Sequence, residues 1–455
     1  MHRYLAAVAV CAICAGTPAM ADTFTLQEAL GVAYETNPQL DAARANQRAV
    51  DEGVAQANAG WRPKINAGGA YGYQETTISG YGTIKSHPLS GQVEITQPIF
   101  RGGQTYAEVS RAKAQVRAGR AQLTAVEQSV LLDAVSAYMN VVRDMATVDL
   151  RQNNVRVLDR QRRETKEQFD AGALTRTDVS QSEARLEGAR AGLIAAEAQL
   201  AASRAQFERV IGRPPETLDK LPPLPRLPNS EDAALQVALK QNPALLSARE
   251  TAKAADYAVD DALGALMPSF AVTGQYQYQK GGYNTTGLGS STLGTTARSA
   301  AILGQLNVPI YQGGADEAAV RQAKQFRSQA ELNIAVSDRQ VREAIRSAWE
   351  NFAAAQATIK SNKAQVEADK IAFEGVRREQ QVGGRTTLDV LNAEQELLNS
   401  QVAVVSSQRD AIVAAYQLLA TTGDLTARNL GLKVSIYDPK AYYDDNAARW
   451  IGLGD

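Results

Sequence analysis

The sequence predicts an α+β chain written twice, in which helical rods too long for a compact core alternate with short amphipathic strands. Three observations predict it. The stretch from Gln104 to Gln168 has no proline and a single glycine, Gly119. At ~1.5 Å per residue it forms a rod of roughly 97 Å, about three times the thickness of a bilayer's hydrocarbon core. The second half repeats the first with one shift of offset, confined to a loop. Between the helices, short runs alternate polar and apolar residues with a period of two.

Taken in order, the chain opens with Met1-His2-Arg3, an apolar stretch from Tyr4 to Ala15, and Ala19-Met20-Ala21. That is the layout of a secretory signal peptide over residues 1–21, cut after Ala21. Both cysteines, Cys11 and Cys14, fall inside it, so no disulfide or thiol chemistry is expected in the remainder. Past Ala21 there are 47 basic and 49 acidic residues, a net charge of −2 that provides no footprint for nucleic acid. The only histidine there is His87, in a turn-like Ser86-His87-Pro88 setting. Catalytic triads and imidazole or thiolate metal sites are therefore not expected, and neither a cofactor nor an enzymatic activity is. No window of 18 apolar residues follows Ala21, so no membrane-spanning helix is expected.

At an offset of 205, Asn37-Pro38 meets Asn242-Pro243, Leu40 meets Leu245, and Tyr71 and Tyr73 meet Tyr276 and Tyr278. At an offset of 211, Gln97 to Gly103 (QPIFRGG) meets Val308 to Gly314 (VPIYQGG), and Gly172, Thr175 and Asp178 meet Gly383, Thr386 and Asp389. The six extra residues lie in a region containing the Gly-, Ser- and Thr-rich stretch Lys280 to Ser299. The expected division is a first repeat at 22–212, a Pro-rich linker at 213–230, a second repeat at 231–432 and a tail at 433–455. Each repeat reads as a helix of about 20 residues after Asn-Pro, two strands, a long rod, a glycine-marked turn and a helix of about 35 residues.

The first rod repeats apolar residues by sevens at Val109, Val116, Leu123, Val130 and Ala137, then restarts at Val141, Val148 and Val155. Heptads make a coiled-coil seam, and a four-residue stutter unwinds it locally. In Ser90 to Ile99, Gly91, Val93, Ile95 and Ile99 oppose Ser90, Gln92, Glu94 and Thr96. In Phe270 to Gln279, Phe270, Val272, Tyr276 and Tyr278 oppose Thr273, Gln275, Gln277 and Gln279. A soluble sheet with one wet face and a membrane barrel with a wet lumen both satisfy this pattern. Four strands cannot close, and ~8 give a barrel filled by its own side chains. Three chains are the smallest number that leaves a pore.

The doubled Asn-Pro openings, the two strand-Pro-aromatic-x-Gly-Gly entries to long helices and the two Gly-x-x-Thr-x-x-Asp turns resemble the TolC-like outer-membrane efflux proteins. The resemblance covers Asp22 to about Leu432. It implies a homotrimer, with a 12-stranded membrane β-barrel continued by a 12-helix periplasmic α-barrel. It further implies the outer membrane of a Gram-negative bacterium, with a large periplasmic part. The role implied is the exit duct of a tripartite efflux pump or type I secretion system, a passive channel opened at its periplasmic tip. Partners would be a periplasmic adaptor (membrane fusion) protein, an inner-membrane ABC or proton-driven transporter, and outer-membrane lipid. The other reading of the rods is a periplasmic coiled-coil adaptor or scaffold.

Carried over by position, the residues closing the tip are Thr177 and Asp178 in the first repeat, and Arg385, Asp389 and Asn392 in the second. Asn392 stands where the family often has a second aspartate, and Gln380 where it often has a bonding tyrosine. Gly172 and Gly383 mark the helix-turn tips, followed by Thr175 and Thr386. Both Thr-x-x-Asp pairs are equally capping boxes, so Asp178 and Asp389 are open to a purely local role. Arg385 is expected to reach either Asp389 or a neighbouring coil.

Overall fold

The computed structural model describes residues 24–79, 82–219, 221–281, 283–286, 290–293 and 296–453; the signal-peptide reading lies outside them. Two short helices, α1 (Leu26–Thr36) and α2 (Pro38–Asn58), lead into strands β1 (Lys64–Tyr71), β2 (Gln74–Ile78), β3 (Gly82–Ser86) and β4 (Leu89–Arg101). The first rod, α3, runs Gln104–Asp170, and α4 returns over Arg176–Ile211. The second half follows the same order: α5 (Glu231–Gln241), α6 (Pro243–Gly264), β5 (Ser269–Lys280), β6 (Tyr283–Thr286), β7 (Ser290–Leu293), β8 (Thr296–Asn307), α7 (Ala315–Gln381) and α8 (Thr387–Thr422). A short α9 (Ala441–Asn446) lies in the tail.

The rods are 67 residues each and the returning helices 36 each. A 36-residue helix covers about half a rod, and a second helix continues the column. At the first join, Asn37 caps α2 by accepting the Gln39 N–H at 2.9 Å and donates from Nδ2 to the Val210 carbonyl, also at 2.9 Å. Thr36 Oγ1 donates to the Ile211 carbonyl at 3.0 Å. The carbonyls orphaned at the end of α4 are thus satisfied by the helix stacked on it. The 11-residue helices α1 and α5, which each precede an Asn-Pro, escaped the sequence reading. They are short, and each is cut from its successor by proline.

The heptad positions do form the buried seam. Val116, Leu123, Val130, Ala137, Val141 and Val148 are buried, and Val109 and Val155 half-buried at its ends. Gly119 faces α2, and a Cβ there would collide with the buried side chain of Gln47. Further along, Tyr138 Oη donates to the Phe24 carbonyl at 2.8 Å and accepts the Asp219 N–H at 2.9 Å, which ties the proline-rich segment to the rod. The two rods are unequally covered: α3 buries 21 of its 67 residues, α7 only five.

The strands make one four-stranded antiparallel sheet, ordered β1-β4-β5-β8, and two separate ribbons, β2-β3 and β6-β7. Each half therefore has four strands, not the two expected, because its hairpin breaks partway. The break in the first half falls at His87-Pro88, where proline has no N–H for the ladder. Register places Ala67, Val93, Tyr276 and Ala300 in one row, and Ile65, Ile95, Gly274 and Ile302 in another on the same face. Gly68, Gln92, Gln277 and Ser299 align on the opposite face. That face is not wholly polar, since Leu303 lies opposite Thr273. A bulge between Pro98 and Phe100 brings Phe100 opposite Phe270, adding to the apolar face a ring that a strict period of two misplaces.

Candidate functional site at the helix-turn tips

The two rods end in the same turn. Gly172 and Gly383 adopt φ of 79° and 80°, left-handed conformations that any side chain would strain. Their N–H groups, and those of Ala173 and Gly384, return to the last rod carbonyls: Gly172 to Phe169 at 2.9 Å, Ala173 to Gln168 at 2.8 Å, Gly383 to Gln380 at 3.0 Å and Gly384 to Glu379 at 2.8 Å.

The returning helices then start on reciprocal caps. Asp389 Oδ2 accepts the Thr386 N–H at 3.0 Å and the Thr386 hydroxyl at 2.8 Å, and Thr386 Oγ1 accepts the Asp389 N–H at 3.2 Å. Asp178 and Thr175 repeat the set at 3.0, 2.7 and 3.3 Å. The Thr386 backbone N–H, then its hydroxyl and the nearby Arg385 charge, hold the Asp389 carboxyl below the usual range. It stays ionised in a half-exposed position at the turn. Thr177 is exposed beside its cap.

Within the chain Arg385 bonds Glu379 and not Asp389. Its Nε donates to Glu379 at 2.9 Å, so the guanidinium folds back over the turn onto the end of α7. Both Asp389 and Glu379 lie within its field, and Asp389 spends Oδ2 on Thr386. Asn392 has a partner from the other half, since its Oδ1 accepts from Arg185 Nη2 at 2.7 Å, joining α8 to α4.

Behind these residues lies a cross-half seam that the sequence reading missed. Leu158 of α3, Leu186 of α4 and Leu391 of α8 pack together. Beside them Asn154 Nδ2 donates to Glu394 Oε1 at 3.1 Å, both side chains being buried. Burial pushes the Glu394 carboxyl up to about 7, against the opposing pull of the Asn154 bond and the Arg377 charge. The signal was present: Thr387, Val390, Leu391, Glu394 and Leu398 follow helical spacing and put Glu394 on the apolar stripe of α8.

Long paired coils, a sheet with one apolar and one mainly polar face, and turns at the ends of both rods are the features to set beside known proteins. The family model described as outer membrane efflux protein matches residues 29–213 and 234–424. The chain belongs to that family, whose members are channel proteins and not enzymes. Outer membrane efflux protein BepC of Brucella suis is 36% identical over 438 residues, covering 96% of this chain and 93% of that protein. Alkaline protease secretion protein AprF of Pseudomonas aeruginosa is 25% identical over 415 residues, covering 88% of this chain and 85% of that one. The crystal structure of the Campylobacter jejuni CmeC outer membrane channel superposes with a TM-score of 0.78 at 18% identity, over 93% of this chain and 89% of that one. At that identity the likeness is one of fold.

Proposed function

We propose that three copies of this chain close into a 12-stranded barrel in the outer membrane, continued by a 12-helix tunnel in the periplasm. The supporting observation is the pair of open edges. Among the described residues β1 pairs only with β4 and β8 only with β5, so each outer strand has a free ladder there. In a bilayer an unpaired backbone group costs several kcal/mol, and only closure removes every edge. Joining β8 of one copy to β1 of the next supplies it. The thinly covered α7 is the matching bare surface below the sheet. In this reading the Val93 row faces lipid and the Gln92 row the lumen. Residues 22–212 and 231–432 act as two repeats around the 213–230 linker.

The duct serves as the exit of a tripartite efflux pump or of a type I secretion system, working with a periplasmic adaptor and an inner-membrane ABC or proton-driven transporter. The names of the BepC and AprF relatives favour each use in turn. The tip is its gate. Asp389 forms a ring of three carboxylates at the mouth, while the Arg185–Asn392 and Asn154–Glu394 bonds hold the second-half coil against the first. Asp178 and Thr177 line the turn of the outer coil, and Arg385 braces the inner one. A periplasmic coiled-coil adaptor would need the rods but not a sheet with an exposed apolar face. Native mass measurement in detergent tests the proposal: a three-chain mass is expected, and single chains with native helix content as the only species would overturn it.

A further inference from the structure

The tail does not trail from the end of α8. From Val434 onward it climbs the groove between α2 and α3, in the direction of α2, and is fixed at every step. The Tyr437 N–H donates to Tyr34 Oη at 3.1 Å, and the Arg44 guanidinium lies 4.7 Å from the Tyr34 ring and 5.3 Å from the Tyr437 ring. Tyr442 Oη donates to Glu52 at 2.8 Å, and Tyr443 and Ala447 pack on Val54, Ala112 and Val116. Asn58 Nδ2 donates to the Ala447 carbonyl at 2.9 Å. Arg62 then donates to the Arg449 and Ala448 carbonyls at 2.6 and 3.2 Å, with its guanidinium 4.9 Å from the Trp450 ring.

The segment is thereby delivered to the foot of β1, where helix gives way to sheet. What it presents there is apolar and uncovered. Trp450 is 68% exposed, Ile451 91%, and Leu453 fully so; Trp61, the residue before Arg62, is 51% exposed. Within 446–453 the one charged side chain is Arg449; Arg62 bonds its carbonyl, and Lys64 lies two residues beyond Arg62. Exposed tryptophans, aliphatic side chains and basic groups are what the headgroup boundary of a bilayer takes up. Tryptophan favours that level, and basic groups meet lipid phosphates.

We propose that residues 449–453, with Trp61 and Arg62, form a membrane-interface anchor that seats the chain on the phospholipid headgroups of the periplasmic-side leaflet. The proposal rests on the barrel reading above, which sets the level of that leaflet. It gives the tail a role distinct from the duct: it fixes how deep the sheet sits. The strap along α2 transmits that position to the rods, because the anchor and α3 are gripped by the same helix.

The test uses the full chain in phospholipid vesicles whose acyl chains are brominated either near the carbonyl or near the terminal methyl. One protein retains Trp450 alone, through Trp61→Phe and Trp349→Phe; a second carries Val93→Trp as its only tryptophan. Carbonyl-proximal bromine is expected to lower Trp450 emission by roughly two-fold, while deep bromine acts on the Val93→Trp reporter. As a second measurement, Leu453→Cys in the chain lacking residues 1–21, which otherwise has no cysteine, carries an environment-sensitive dye and should shift to the blue on vesicle insertion. If Trp450 is quenched by aqueous iodide and by neither lipid, the anchor is wrong while a quenched Val93→Trp leaves the barrel standing. Shielding of Trp450 from both iodide and bromine would mean a neighbouring chain covers it, which also overturns the anchor. If no bromine reaches the Val93→Trp reporter, the barrel reading itself fails.

Discussion

The side-chain amide of Asn242 donates to the Thr421 carbonyl at 2.9 Å, so the residue that starts α6 also closes the end of α8. Its Oδ1 accepts the N–H groups of Ala244 and Leu245 at 3.0 and 3.3 Å. Asn37 makes the equivalent join in the first half. A single side chain therefore splices two helices into one column, and Gly423 allows the approach: a Cβ there would lie 2.8 Å from the Gln241 carbonyl oxygen.

Replacing Asn242 by Ala removes a cap and leaves a half-buried carbonyl without its partner. The expected loss is about 2 kcal/mol, read as a lower denaturation midpoint of the detergent-solubilised protein. Asn242→Asp keeps the acceptor but loses the donor, and should fall between wild type and Ala. Equal midpoints for all three proteins would show that the splice contributes nothing.

Arginine at Val93 should cost ~2–4 kcal/mol if the residue faces lipid near mid-bilayer, and arginine at Gln92 much less. Folded yield in the outer membrane measures the difference. Similar losses at these adjacent positions would point to a sheet whose two faces meet the same medium.

Glu394 makes the tip acid-stabilised. Its carboxyl sits at about 7 in the fold against an ordinary 4.5. The folded state therefore favours the neutral acid: its stabilising contribution is complete below about pH 4.5 and is lost as pH rises through about 7. Limited proteolysis of the turns at Gly172 and Gly383 should consequently speed up from pH 5 to pH 8. Glu394→Gln should flatten that dependence and stay slow at pH 8. An unchanged pH slope in the Gln variant would assign the effect to another group.

The exposed Arg385–Glu379 pair contributes little to global stability, yet it braces the turn where the proposed gate opens. Arg385→Ser is expected to raise single-channel conductance in a planar bilayer without shifting the melting temperature. Asp389→Ala should abolish block by trivalent cations added on the tip side, because the carboxylate ring disappears. Because Asn392 is neutral, the wild-type block should be weaker than two stacked acidic rings would give. Should cation block survive Asp389→Ala, that aspartate is a helix cap alone.

Much of this architecture is legible in the residues. The rods announce themselves by length without proline, and the turns by Gly-x-x-Thr-x-x-Asp, whose caps form in both halves as the spacing implies. Three things were not legible, each for a physical reason. Helices α1 and α5 are too short to show a decisive period. The slip at Phe100 is invisible because a bulge leaves the alternation looking intact on either side. The Asn154–Glu394 contact joins residues 240 apart, and only the folded register of the two halves brings them together. Arg385 shows the opposite limit. Its place at the tip could be read, but its bond to Glu379 spans the turn and depends on how the turn folds.

The unequal cover of the two rods also implies an order of events during biogenesis. A solitary chain can consolidate α3 by itself, since the helices that bury it come from the same polypeptide. It covers α7 far less, and in the proposed trimer the flanks of α7 stay wet until other chains arrive. Maturation would then proceed in two stages, a first-order consolidation followed by a concentration-dependent one. Pulse-labelled hydrogen exchange should find amides of α3 protected at early times whatever the protein concentration, and those of α7 protected sooner as concentration rises. Simultaneous protection of both rods at every concentration would rule this sequence out. If the chain trimerises as proposed, an insertion pathway serving it has to keep half-finished subunits apart from unrelated chains while allowing them to find their own kind.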